Sequence, residues 1–147
     1  MDTSKLMPIT APDNRLYVVV GVIQRENDKF LIQQRPPGKD CAGQWEFPGG
    51  KLELGETPGE ALVRELHEEL GVTITHYTPL TQLGFDYPHA QVWLDVFLVT
   101  AFEGQVSGVE GQAMRWLGVS EMRKLDLLEA VYPILDQLRS DAITDGY

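Results

Sequence analysis

Cysteine is almost missing from this chain: Cys41 is the single one among 147 residues. An intrachain disulfide framework is therefore excluded, and the lone loop thiol suits a reducing compartment. Long apolar runs are missing too. No window approaches the 18 uninterrupted apolar residues of a membrane-spanning helix, and the opening MDTSKLMPITAPDN has neither the basic nor the apolar stretch of a secretory leader. Basic residues are scarce, 12 Lys and Arg against 22 Asp and Glu, for a formal charge of −10. With no basic patch to release counterions, neither a nucleic acid polymer nor a membrane is an expected partner. Repeats and low-complexity tracts are absent as well. These absences lead us to expect a soluble cytoplasmic protein. Small phosphorylated ligands stay compatible with it, because cations bridge acidic sites to phosphates.

At this length one compact domain is expected, over residues 15–140, between a loosely held arm (1–14) and a frayed tail (141–147). Leu16–Gln24 is a near-continuous apolar run and reads as a buried strand; Asn27-Asp28 turns the chain, and Phe30–Arg35 returns as its hairpin partner. Pro36–Gly43 is a loop, Trp45–Phe47 a short strand, and Pro48-Gly49-Gly50 a tight turn. Val72–Phe85 alternates imperfectly, Asp86–Ala90 turns, and Gln91–Phe102 is a long strand. A further strand is expected over Ala113–Leu117, a short helix capped by Ser120, and a terminal helix over Leu128–Arg139. Strands interleaved with two substantial helices indicate an α/β sandwich.

The segment GKLELGETPGEALVRELHEELGV, Gly50–Val72, carries the chemistry. Thr57 with Glu60 makes a capping box, Pro58 takes the first helical position and Gly71 follows the last apolar residue, so a helix is expected over Pro58–Leu70. Leu62, Val63, Leu66 and Leu70 form its apolar stripe, while Glu65, Glu68 and Glu69 gather on another face. Glu68 and Glu69 stand in the last turn, where the helix dipole disfavours each by about 0.3–1 kcal/mol. Arg64 can pair with Glu68, but one guanidinium does not neutralise three carboxylates. A divalent cation does. Oxygen ligands without His or Cys at metal spacing favour a hard ion, Mg²⁺ or Mn²⁺.

This segment resembles the Nudix box, G-x5-E-x7-R-E-U-x-E-E-x-G-U with U aliphatic, at Gly50, Glu56, Arg64, Glu65, Leu66, Glu68, Glu69, Gly71 and Val72. The resemblance implies the Nudix αβα sandwich, with a mixed β-sheet between helices, and a hydrolase acting on phosphoanhydride bonds of nucleoside diphosphate derivatives. It makes Glu65, Glu68 and Glu69 metal ligands, with the Gly50 carbonyl as an addition and Glu56 as either a further ligand or a partner of Arg64. Over residues 16–138 the chain is similar to the MutT-type subgroup, which cleaves nucleoside triphosphates to monophosphate and pyrophosphate and includes the 8-oxo-dGTP diphosphatases. Here the matching stretches include Arg35, a phosphate contact; WEFPGGK, with Phe47 and Lys51 at the substrate; EGQ with Glu110, a metal ligand or general base competing with Glu65; and the Pro133 region, while Tyr87 is a substrate-binding candidate by proximity. Arg64 is expected to orient the glutamates.

Two positions depart from the subgroup. Val131 stands where its guanine reader is Asn, and Ala90 where it has Arg; Tyr87, His89, Gln91 and Asp95 are neighbouring polar replacements. A site that loses polar readers loses discrimination. WEFPGG also resembles the cytidine-triphosphate-cleaving members, so pyrimidine nucleotides stay open as substrates. The expected function is thus Mg²⁺-dependent nucleoside triphosphate pyrophosphohydrolysis by a monomer or homodimer. Hydrolysis of a nucleotide sugar or dinucleotide, or silent nucleotide binding, are the alternatives.

Overall fold

Leu16–Arg25 (β1), the first apolar run, is the spine of a mixed sheet. Its residues alternate between two cores: Val18, Val20 and Val22 face one, Val19 and Ile23 the other. The structure, a computed structural model, describes residues 9–145, with side chains through residue 138. After a turn at Asn27 and Asp28, both left-handed (φ 64° and 53°), Lys29–Gln34 (β2) returns antiparallel to β1. Trp45–Glu46 (β3) pairs with β2. Gly49–Lys51 (β4), expected as a tight turn, is instead extended and pairs with β1 from Val18 to Val20. β1 therefore meets β2 only at Gln24 and Arg25 and β4 further back, and the sheet splits between the two partners.

Pro58–Leu70 (α1) has the expected bounds, with both halves of the capping box formed and Gly71 left-handed at φ 73°. Ala61, Leu62, Leu66 and Leu70 are the buried stripe; Val63, expected there, is half-buried because Ala61 takes its place against the sheet. Each fully buried leucine contributes about 1.5–3 kcal/mol. Thr73–Asp86 (β5) and Gln91–Glu103 (β6) form a long antiparallel ribbon, and β6 lies parallel to β1. Register shifts near His76 and Pro79 break the period of two, which explains the imperfect alternation read in β5. Met114–Leu117 (β7) adds to β2.

Val119–Met122 (α2) is capped at Gly118, not Ser120: the Gly118 N–H donates to Glu121 Oε1 at 3.0 Å, and Ser120 lies inside the helix. The terminal helix is Val131–Asp145 (α3), starting three residues later than expected. Leu128 lies outside the helix because residues 126–128 pair with β3 as a short bridge: the Trp45 N–H donates to the Asp126 carbonyl and the Leu128 N–H to the Trp45 carbonyl. The helix runs on to Asp145, into the segment expected as a tail; residues 1–8 and 146–147 lie outside the described residues. Of the expected arm, Pro12–Asn14 form a short 3-10 turn and Ala11 is buried. α1 covers one face of the sheet, and α3 with α2 the other, giving the expected αβα sandwich with a mixed sheet. Among the described residues no helix is long and apolar enough to cross a membrane.

Candidate active site

Arg64 is the hub of the acidic helix. Its Nε and Nη2 donate to the two carboxylate oxygens of Glu56 at 2.6 and 2.9 Å, and Nη2 also donates to the Lys51 carbonyl at 3.0 Å. Nη1 reaches Glu65 at 2.9 Å and Glu68 at 3.3 Å. A bidentate fork of this kind is the strong form of an ion pair. The bond to Arg64 holds the Glu56 carboxyl below the usual carboxylate range, and Glu56 also accepts the Glu53 N–H at 2.9 Å. Glu56 is therefore placed as the partner of Arg64 rather than on the cavity wall. Glu68 is exposed, at 3.3 Å from Nη1, and Glu53 lies further out at 3.6 Å.

Glycines set how closely β4 approaches. A Cβ on Gly50 would fall on the Glu65 carboxyl, and one on Gly49 on the Val19 carbonyl of β1. The two obstacles differ: a side-chain end can swing aside, a central strand cannot. Gly49→Ala is expected to lower unfolding stability by about 1–3 kcal/mol. Gly50→Ala should leave the melting temperature nearly unchanged while displacing Glu65 and reducing hydrolysis roughly tenfold or more. Thermal melts and initial rates on the two variants check this.

Glu69 has a different environment. Its Oε1 accepts from Gln33 Nε2 at 3.0 Å, whereas its Oε2 is enclosed and has no hydrogen-bond partner. Burial, with Glu65, Glu46 and Glu110 nearby, pushes its carboxyl up to about 8 despite the bond from Gln33. An enclosed carboxylate oxygen without a donor is costly unless a proton or a cation comes to it, and the raised carboxyl shows that without an ion the proton is retained. Among the described residues no three Asp, Glu, His or Cys side chains stand ready around one point, because Arg64 holds Glu65 and Glu68.

Glu69 lines a cavity of about 690 Å³ at the split in the sheet. Its charged end has Arg35, Lys39, Lys51, Glu46, Glu69 and Glu110, with Gly49 and Gly50 beside them. Arg35 donates through Nη1 to Glu46 at 3.0 Å and through Nε to the Asp40 carbonyl at 2.6 Å. Burial raises the Glu46 carboxyl, and Arg35 opposes that rise. The other end is apolar, walled by Val18, Val20, Val92, Leu94, Val131 and Ile134. Ala90 lines it as well. Phe47 is buried in the wall. Tyr87 stacks on His89 at 5.4 Å, and its hydroxyl accepts the Ala130 N–H at 2.9 Å.

The structure thus brings Arg35, Phe47, Gly50, Lys51, Glu69, Tyr87 and Glu110 to one cavity and leaves Glu56, Arg64, Glu65 and Glu68 as an adjoining cluster. Of the four polar replacements for the missing readers, Tyr87 and His89 reach the cavity and two do not. Asp95 faces the α1 side of the sheet, where Tyr17 Oη donates to it at 2.5 Å, and Gln91 is exposed outside the cavity. Alternation along β6 puts Asp95 opposite to Leu94, a consequence of register. Sequence reasoning missed Gln33, Glu46 and Gln112. A glutamine following the apolar run of β2 was the available signal for Gln33, which is buried.

Comparison with known proteins agrees with the fold. The family model for the NUDIX domain matches residues 15–138. The chain belongs to the Nudix family. It is 37% identical to the 8-oxo-dGTP diphosphatase of Escherichia coli (strain K12) over 125 residues, 85% of this chain and 97% of the relative. It is also 37% identical to the CTP pyrophosphohydrolase of the same organism over 119 residues, 81% and 87% of the two chains. A solved MutT structure, of the Aliivibrio salmonicida and Vibrio cholerae pair, superposes with a TM-score of 0.75 at 38% identity, covering 86% of this chain and 98% of that one. As a Nudix protein the chain is a hydrolase of phosphoanhydride bonds, and Nudix hydrolases depend on divalent metal.

Proposed function

We propose that this Nudix hydrolase is a Mg²⁺-dependent nucleoside triphosphate pyrophosphohydrolase of MutT type, releasing nucleoside monophosphate and pyrophosphate and acting on oxidised nucleotides such as 8-oxo-dGTP. The observation that carries the reading is the enclosed, unpartnered Oε2 of Glu69 in a cavity whose rim holds Arg35, Lys39 and Lys51. Glu69 fits a hard cation, and Mg²⁺ suits oxygen ligands that share an ion with phosphates. When bound, such an ion neutralises phosphate charge and acidifies water. Glu65 and Glu68, which Nη1 of Arg64 holds in this structure, would hold the ion together with Glu69, while the fork of Arg64 stays with Glu56. The Gly50 carbonyl would be a further oxygen ligand.

Arg35 and Lys51 bind the phosphate chain, and Phe47 and Tyr87 shape the nucleoside end. Glu65 is taken up as a metal ligand, whereas Glu110 stands exposed on the cavity wall, so we assign proton removal from water to Glu110. A cytoplasmic place, beside the nucleotide pool, follows from such substrates. Incubation with oxidised and ordinary triphosphates and Mg²⁺ tests the reading: monophosphate plus pyrophosphate is expected. Two monophosphates from a dinucleotide or nucleotide sugar would replace the reading with another Nudix activity, and no product from any of these would end it.

A pyrimidine triphosphate is the second reading, favoured by the apolar Ala90 and Val131 on the nucleoside end of the cavity. Val131→Asn, which restores the subgroup's guanine reader, is expected to raise the kcat/KM ratio of 8-oxo-dGTP over CTP by roughly 10- to 100-fold. It should also cost about 1–3 kcal/mol of stability in the empty protein, because the new amide is buried. Steady-state kinetics on both substrates and a thermal melt measure the two effects.

A further inference from the structure

Gln33 and Gln112 close a ring of hydrogen bonds around Glu69. Gln33, 6% exposed on β2, donates Nε2 to Glu69 Oε1 at 3.0 Å. Its own Oε1 accepts from Gln112 Nε2 at 3.3 Å. The same Nε2 donates to the Glu69 backbone carbonyl at 3.1 Å, and Gln112 Oε1 accepts the Glu110 N–H at 3.0 Å. Val109 N–H reaches the Glu69 carbonyl too, at 3.2 Å, so the loop carrying Glu110 rests on the C-terminal end of α1. An amide is the side chain for both positions, since each must donate at one end and accept at the other. Only one orientation of each amide satisfies its neighbours: the Glu69 backbone carbonyl accepts from Gln112 Nε2 and the Glu110 N–H donates to Gln112 Oε1, which turns the Oε1 of Gln33 toward Gln112 and its Nε2 toward Glu69.

We propose that Gln33 and Gln112 are positioning residues for metal binding: they fix the rotamer of Glu69 by holding Oε1, leave Oε2 for the ion, and set the distance of the Glu110 loop from it. The proposal rests on the reading of Glu69 as a metal ligand. Holding the oxygen that does not ligate is how partners one step out from a metal raise affinity, typically 10- to 100-fold. The coupling runs from β2 through α1 to the β6–β7 loop, three elements that are far apart in sequence.

The experiment is Mn²⁺ titration of the full chain without nucleotide, followed by electron paramagnetic resonance, for wild type, Gln33→Met, Gln112→Met, the double variant and Glu69→Gln. Methionine keeps the volume and removes the donor. Gln33→Met is expected to weaken Mn²⁺ binding roughly 10- to 100-fold. The double variant should lose less than the product of the single losses, as members of one network do. In hydrolysis assays the same variants should require more metal for half-maximal rate, with the substrate KM at saturating metal nearly unchanged. A packing role alone would lower the melting temperature and leave Mn²⁺ affinity intact. Loss of binding in Glu69→Gln with Gln33→Met within twofold of wild type would overturn the positioning role. Wild-type binding by Glu69→Gln would overturn the metal assignment and this proposal with it.

Discussion

Glu69→Gln is expected to abolish most hydrolysis, lowering kcat/KM by more than about 100-fold, while making the metal-free protein more stable. The opposed effects have one cause. Glu69 carries an enclosed Oε2 without a partner, which disfavours the charged form, and its carboxyl is pushed up to about 8. In the unfolded chain the same carboxyl titrates near 4.5. Between those values the unfolded state has released a proton that the folded state keeps, so wild-type stability falls as pH rises through this window. A neutral amide does not titrate. The variant should therefore melt at nearly the same temperature as wild type near pH 4.5 and gain over it up to about pH 8, by a few °C. Added Mn²⁺ or Mg²⁺ should raise the wild-type melting temperature and leave that of the variant unmoved. Melts across pH, with and without metal, together with initial rates, measure all of this.

Arg64→Met should destabilise the fold and slow hydrolysis together. The guanidinium fork holds Glu56, and Nη1 holds Glu65, with side chains 22%, 17% and 15% exposed for Arg64, Glu56 and Glu65. Removing it leaves two half-buried carboxylates unpaired and frees the Lys51 carbonyl, a loss of about 2–3 kcal/mol. Glu68 adds little to this sum because it is mostly exposed. The pH dependence has the opposite sign to that of Glu69. Arg64 holds the Glu56 carboxyl below its ordinary range, so this contribution is present above the unfolded value and is lost as pH falls through the depressed folded one. The stability gap between wild type and variant should therefore be widest near neutral pH and narrow in acid. Hydrolysis should fall roughly 10- to 100-fold. Arg64→Lys should recover only part, since an ammonium lacks the planar fork. Urea unfolding at several pH values, with rates at pH 7, checks both.

Much of the fold was legible because local signals agreed with the tertiary outcome. α1 has its capping box, its proline and its left-handed Gly71 within one stretch of chain, and its bounds were read to the residue. β4 was not legible: two glycines read as a turn locally, but pairing with β1 holds them extended, and the close contacts of Gly49 with Val19 and of Gly50 with Glu65 explain why side chains are absent there. The start of α3 was hidden for the same reason, since a bond from Leu128 to the distant Trp45 carbonyl decides it.

For the site, the sequence by itself determined which groups are at hand: carboxylates in quantity, one arginine among them, and a helix whose dipole opposes its last acids. Those are properties of residue type and short spacing, and the helix transmits them directly. Tertiary structure alone decided how the acids divide. Glu56 went to Arg64, Glu69 to an enclosed place beside Gln33, and Asp95 to the far side of the sheet. Those outcomes depend on strand register and on contacts between β2, α1 and the β6–β7 loop. Separations of 36 residues between Gln33 and Glu69 and 79 between Gln33 and Gln112 leave no periodicity to read.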